Sequence, residues 1–437
     1  MATEHSEKTR SKPDASGVQV EERLRRARIE RMARIARAYR GWTSGELLSA
    51  LGRENTRVSP PSGIPRLDLV ARLAQALDWD LGDVAERLWT PRGMQADDAA
   101  LRAMPFAELD ARAQAEHRAG GFAEMKATGN AMRAIARTPR ERAIAANRLA
   151  GAYDGEGRYE RVLEWVRAGL AERDIGADVR LMLTINLANV SYTLWNLHET
   201  RAIAESVLDR WTGEAPRMRL ERVGQAFARL LRGQARRRAL DACESAGERV
   251  EAARVALVDL GHAEEHYGRL FADFDDPQYQ ALAHTARGAA IEARAAAGEL
   301  APDAALDLVL AELDAFVDIE MSPSPHLVES AGWWAVFGAN IAARAEGSAH
   351  ERTIAICTNK AAEVSDHLGH WPMRERAFSL EWRRQVAARD AAGSPHAQQS
   401  SWTLDTDDLR ALVGTMGRLP FFRPTGWAIL DGAVLAT

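Results

Sequence analysis

Few residues in this chain are spaced to do chemistry. The best spaced are His262 and His266, which with Glu265 give the order H-x-x-E-H. Histidines four apart share one helix face, as a zinc site requires. No third ligand is identifiable, and a Glu-rich helical chain produces five-residue matches by chance, so a solvated helix face accounts for the pair. Cys243 and Cys357 lack a neighbouring histidine in a ligand pattern and read as small buried side chains. The chain has no G-x-S-x-G elbow, no Walker phosphate loop and no G-x-G-x-x-G. The expectation is a protein without catalytic residues, metal or cofactor, hence not an enzyme.

The elements that would position any site are helices. The 437 residues are rich in Ala, Leu, Arg and Glu, all strong helix formers, and nearly lack period-two runs of Val, Ile and Thr. The length suffices for two or three domains with a sizeable core. Two cysteines cannot form a disulfide framework, which points to a reducing compartment. No export signal opens the chain, and the longest apolar stretch, residues 332–343, is far below the roughly 20 residues of a membrane span. These features predict a cytoplasmic protein with no membrane partner. Residues 1–92 carry 17 Lys and Arg against 13 Asp and Glu, and the rest carry 40 against 49. A basic head on an acidic body suits a nucleic-acid contact at the head, although an excess this small is also ordinary scatter.

Residues 1–20 are polar and without periodicity, and read as a disordered tail. Residues 21–40 read as a basic helix with an apolar stripe of Leu24, Ile29, Met32, Ile35 and Ala36. Its arginines, Arg40 among them, could lie along a phosphate backbone or form a solvated face. Thr43 and Glu46 make a capping box that starts a short helix ending at Gly52. Pro60 and Pro61 break the polar segment that follows, Leu67 to Leu77 is amphipathic, and Asp80 caps a helix burying Leu81, Val84, Ala85 and Leu88.

Thr43, Glu46, Leu47, Leu51 and Gly52, followed by Gly63, Pro65, Leu67, Leu73, Ala74, Ala76, Leu77, Leu81 and Asp83, resemble the pattern of the lambda-repressor-like (Cro-type, XRE) helix-turn-helix domain. Leu48 and Ser44 stand where that family usually has Ala and Gln, and the paired prolines shorten the reading segment. The resemblance implies a helix-turn-helix domain over residues 21–92 that binds double-stranded DNA. It places Arg53, Asn55, Thr56 and Arg57 at base edges and Ser44 near the backbone, and Arg and Asn have bidentate base chemistry.

Residues 95–390 read as paired antiparallel helices in an α-solenoid, and residues 391–437 as a linker, one more helix and a docking tail. Leu149, Ala150, Tyr153, Gly157, Tyr159, Val162 and Val166 recur 38 residues on as Leu187, Ala188, Ser191, Trp195, Leu197, Thr200 and Ala204. A weaker copy at Gly120, Phe122, Met125, Gly129 and Met132 lies 37 upstream. The spacing resembles a lengthened tetratricopeptide repeat. That resemblance implies a groove lined by the inner helices, with Asn147, Asn189 and Tyr192 facing a peptide or protein. Trp195, Trp333 and Trp334 read as repeat core, and Arg229, Arg232, Arg236, Arg237 and Arg238 as a basic patch. The all-α, head-and-array layout is that of a homodimeric XRE-type transcriptional regulator with a sensor array. The alternative is a helical-repeat scaffold with a degenerate head that does not read DNA.

Overall fold

The computed structural model describes residues 15–53, 58–60, 64–77, 79, 81–89, 100–322, 324–345, 350–391 and 402–435. Their contacts divide the chain into Met1–Met104 and Pro105–Thr437. Both units are packed helices.

The first unit contains α1 (Ala15–Arg40), α2 (Ser44–Ala50), α3 (Leu67–Leu77) and α4 (Leu81–Trp89). Helix α1 begins six residues before the expected start, so residues 15–20 are helix rather than tail, and residues 1–14 lie outside the described residues. Ile29, Met32, Ala33 and Ala36 form a strict i, i+3, i+4, i+7 stripe against Leu47, Leu51, Val70, Leu73 and Leu88. Ile35, expected in that stripe, is exposed because it sits about 120° around the helix from Ile29. Leu67 and Leu81 are likewise exposed, and Leu69, which the sequence pattern passed over, is buried. Both bonds of the Thr43–Glu46 capping box form, and Gly52 takes the left-handed conformation after α2.

The second unit runs through α5 (Phe106–Arg118), α6 (Phe122–Ile135), α7 (Pro139–Gly155), α8 (Tyr159–Ala171), α9 (Ala177–Thr193), α10 (Leu197–Leu208) and α11 (Arg219–Arg238). It continues through α12 (Ala246–Phe274), α13 (Pro277–Ala296), α14 (Pro302–Asp314), α15 (Pro325–Arg344), α16 (Glu351–Leu368) and α17 (Trp371–Ala391). Most sequence neighbours pack on one another along this series, while α13 packs far more on α15 than on α14. The first three hairpins turn identically. Gly120, Gly157 and Trp195 all have positive φ, and in each turn the next N–H reaches a carbonyl five residues back: Gly121 to Glu116, Arg158 to Tyr153, Asn196 to Ser191. Glycine adopts this conformation freely. Trp195 is a strained exception, since a side chain there opposes the left-handed region.

The C-terminal segment packs back on the array. Helices α18 (Thr406–Arg418) and α19 (Arg423–Gly432) carry Leu412, Met416 and Ile429 into one core with Tyr159, Val162 and Val166. Arg418 lies 3.8 Å from the Trp371 ring and donates to the Glu156 carbonyl at 3.3 Å. Two short strands, β1 (Thr403–Leu404) and β2 (Val434–Leu435), pair in parallel across this segment. They were invisible in the sequence because two residues carry no period. No helix among the described residues is long and apolar enough to cross a membrane.

Candidate functional site

The hairpins leave a concave face lined by α7, α9, α11, α13 and α15. A cavity of about 560 Å³ lies there, bordered by Met182, Asn186, Asn189, Tyr192, Arg238 and Trp333 among others. A second, of about 440 Å³, is bordered by His117, Met125, Asn147 and Arg148. Asp154, Met182, Asn186 and Asn189 border both cavities, which therefore adjoin as two lobes with a shared waist at α7 and α9. Volumes of this size are those of ligand pockets.

The three residues expected in the groove differ in availability. Asn147 is buried; its Oδ1 accepts from Asn186 at 2.7 Å and its Nδ2 meets the Met182 sulfur at 3.6 Å. Its amide is already used within the protein. Asn189 is half-buried and makes no hydrogen bond among the described residues, so both its donor and its acceptor face the groove. Tyr192 lies beneath the Arg238 guanidinium, 3.8 Å from ring centre to Cζ.

Two acids line the groove: Asp154 borders both lobes and Glu329 the larger one alone. Asp154 is exposed at its outer edge, yet the walls crowd its carboxyl, and that desolvation pushes it up to about 6 against the pull of His370. Glu329 pairs with His370 Nε2 at 3.3 Å. The His370 Nδ1 accepts from the Met373 N–H at 3.2 Å, which leaves the ring hydrogen on Nε2 to donate to Glu329. Burial would raise the Glu329 carboxyl, but its bonds to His370 and Trp333 outweigh burial and hold it low. Trp333 stands edge-on to the His370 ring at 5.5 Å. The half-buried indole thus packs against the core, as expected, and also borders the groove. Trp334, as expected, is core, with its ring N–H donating to the His284 carbonyl at 2.9 Å.

The supposed basic patch of α11 is not a surface patch. Arg229 and Arg232 bind Asp259, which is 1% exposed, at 2.9 and 2.8 Å, and Arg236 pairs with it too. Arg237 binds the fully buried Glu292 at 2.6 Å. An acid far along the chain consumes each of these arginines, which a local charge count cannot detect. Arg238 differs. It is 9% exposed, donates once to the Tyr192 carbonyl at 3.1 Å, and has no carboxylate within ion-pair distance among the described residues. Burial pushes its guanidinium down to about 10. Trp195, expected in a repeat core, instead faces Arg238 and Arg376 at 5.1 and 5.2 Å.

In the first unit, Arg40 donates to the Ala76 and Gln75 carbonyls at 2.9 and 2.8 Å, capping the end of α3. Ser44 accepts from Arg37 at 2.9 Å. Arg53 follows the Gly52 turn, its N–H bonded to the Leu48 carbonyl at 2.8 Å. Asn55, Thr56 and Arg57 lie outside the described residues, as do Asp80 and residues 61–63. His262, Glu265 and His266 do come together on α12, with potential ligand atoms within 4.8 Å of one another. They sit on an open helix surface where Glu265 is already paired with Arg269. Cys357 is buried, with its thiol pushed up to about 12 by desolvation, and Cys243 is half-buried. No known protein family matches the chain, and no curated protein does.

The Asp154 shift has a defined pH signature. Between about pH 4 and pH 6 the folded state keeps the Asp154 proton that the unfolded state has lost, so rising pH weakens the fold through this group; above pH 6 the penalty is complete and constant. The stability advantage of Asp154→Asn over the wild type is therefore expected to grow from pH 4 to pH 6 and then level off in thermal melts. An advantage that is constant with pH would rule out the raised carboxyl.

Proposed function

We propose that the chain is a helical-repeat binding module whose tetratricopeptide-like array holds an extended peptide segment of a partner in its groove. The observation that carries this reading is the shared waist: two lobes joined at Asp154, Met182, Asn186 and Asn189 suit an elongated ligand better than a compact one. The free amide of Asn189 offers a peptide bond both a donor and an acceptor. The test is affinity selection of a randomised hexapeptide pool by the full chain, read by mass spectrometry. Asn189→Trp, which blocks the waist, is expected to cut retention at least ten-fold with an unchanged circular dichroism spectrum. Equal retention by the two proteins would sink the groove reading.

A second reading, a DNA-binding regulator of XRE type that pairs two heads as a homodimer, is favoured by the capped α2 and the left-handed Gly52 turn that precedes Arg53. Arg23, Arg31 and Arg34 of α1 are also exposed, as phosphate contacts would need to be. Mobility-shift titrations of duplex fragments at 50 and 200 mM salt should then show binding that weakens steeply with salt. Arg53→Ala with Arg57→Ala should lower it further. Binding that is absent at both salts would leave the scaffold reading alone.

A further inference from the structure

Helix α12 buries Ala253, Ala256, Leu260, Ala263, Tyr267 and Leu270 at alternating three- and four-residue steps, so one narrow stripe of it faces its neighbours. Successive helix residues point about 100° apart, which puts His262, Glu265 and His266 together on the flank beside that stripe. His262 and Glu265 are exposed there and His266 is half-buried. The packing of the helix, more than the order of the five residues, decides that all three side chains share one side.

The structure gathers them into a cluster. One ligand atom from each of the three lies within 4.8 Å of the other two, and the imidazole ring centres are 6.2 Å apart. Bonds of about 2.0 Å from each donor to one tetrahedral ion need donor atoms roughly 3.3 Å apart. Rotation of exposed side chains closes that difference without moving the backbone. Burial, and after it His262, pushes the His266 ring below its ordinary value, so it meets an ion in the neutral form that coordinates. Glu265 is paired with Arg269 one turn on, but an ion pair between exposed residues contributes little and is readily given up. Arg229 of α11, whose charge also acts on His266, is held by Asp259 at 2.9 Å. The donor set selects the ion: calcium and magnesium take oxygen ligands, whereas two imidazoles with one carboxylate suit zinc.

We propose that His262, Glu265 and His266 form a three-ligand site for a divalent zinc ion on α12, with the remaining coordination position open to solvent. The site binds the ion and does not catalyse. None of the three residues borders either lobe of the groove, and with Glu265 taken as a ligand the motif has no carboxylate left to act as a base. What the ion adds is a tie across one turn of α12, present only in the folded chain, so zinc stabilises the fold. This assignment is independent of the peptide reading of the groove.

The test uses the full chain without an affinity tag, stripped with a chelator and titrated with zinc in competition with a chromophoric chelator. The wild type is expected to bind one equivalent, and cobalt(II) in its place should give the strong visible bands of a four-coordinate ion. His262→Ala and His266→Ala should each weaken zinc binding about ten-fold or more, and Glu265→Gln by a smaller factor. Zinc should raise the Tm of the wild type and not that of His262→Ala, whose zinc-free Tm should match the wild type because the residue is exposed. Failure of the wild type to bind one equivalent would overturn the site. So would binding that survives both histidine substitutions, or an unchanged affinity in Glu265→Gln.

Discussion

Glu292 is the point on which the interior of the array turns. This fully buried carboxylate of α13 accepts from Arg237 and Arg344, both at 2.6 Å, and from Asn340 at 3.2 Å. It thereby ties α11, α13 and α15 together. Arg344 passes the connection to Asp241 at 2.8 Å, and Asp241 takes Arg383 of α17 at 2.9 Å. Burial would raise the Asp241 carboxyl, but the two arginines outweigh it and hold it at about 2. Desolvating such charges costs several kcal/mol per ion, which good geometry does little more than offset. The network is better understood as fixing one arrangement of helices than as a source of net stability. Successive helix residues point about 100° apart. Pinning Arg237 inward therefore sets the azimuth of α11, and Arg238 is left facing the groove.

The proposed function rests on an uneven distribution of partners along that groove. Polar groups that have partners, such as Asn147 with Asn186 or Arg237 with Glu292, build the walls. Asn189 at the waist has no such partner, and Arg238 has a carbonyl but no carboxylate. Asp154 and Glu329 add negative charge to the same lobe that Arg238 borders. A concave surface that carries both signs can orient a ligand as well as hold it. The strain at Trp195 fits the same scheme, because a costly backbone conformation persists where surrounding contacts demand it.

Much of the fold was legible in the sequence, and for definite reasons. The capping box at Thr43, the glycine after α2 and the amphipathic spacing of α3 are local signals, and each produced the expected element. Asp276 before Pro277 is a local signal of the same kind: the acid caps α13 and the proline opens it. Alignment of Gly157 with Trp195 picked out equivalent turns before their backbone was known. The site was far less legible. The arginine run of α11 looked like one surface patch because its partners, Asp259 and Glu292, lie 23 or more residues away in sequence. Trp195 looked like core because an indole gives no sign of which side it presents, and Trp333 packs on the core while also bordering the groove. A useful signal was present but unread: neighbouring arginines 100° apart on one helix cannot all meet the same acid, so one of the run had to face elsewhere.

The most direct test of the role assigned to Glu292 is a crystal structure of the full chain carrying Arg237→Met, Glu292→Leu and Arg344→Met together, an apolar replacement of the network that leaves no buried charge of this trio unpaired. The expected result is a folded array in which α11 has rotated and the Arg238 guanidinium no longer stacks on Tyr192. An Arg238 still seated 3.8 Å from that ring, in an otherwise unchanged groove, would contradict it.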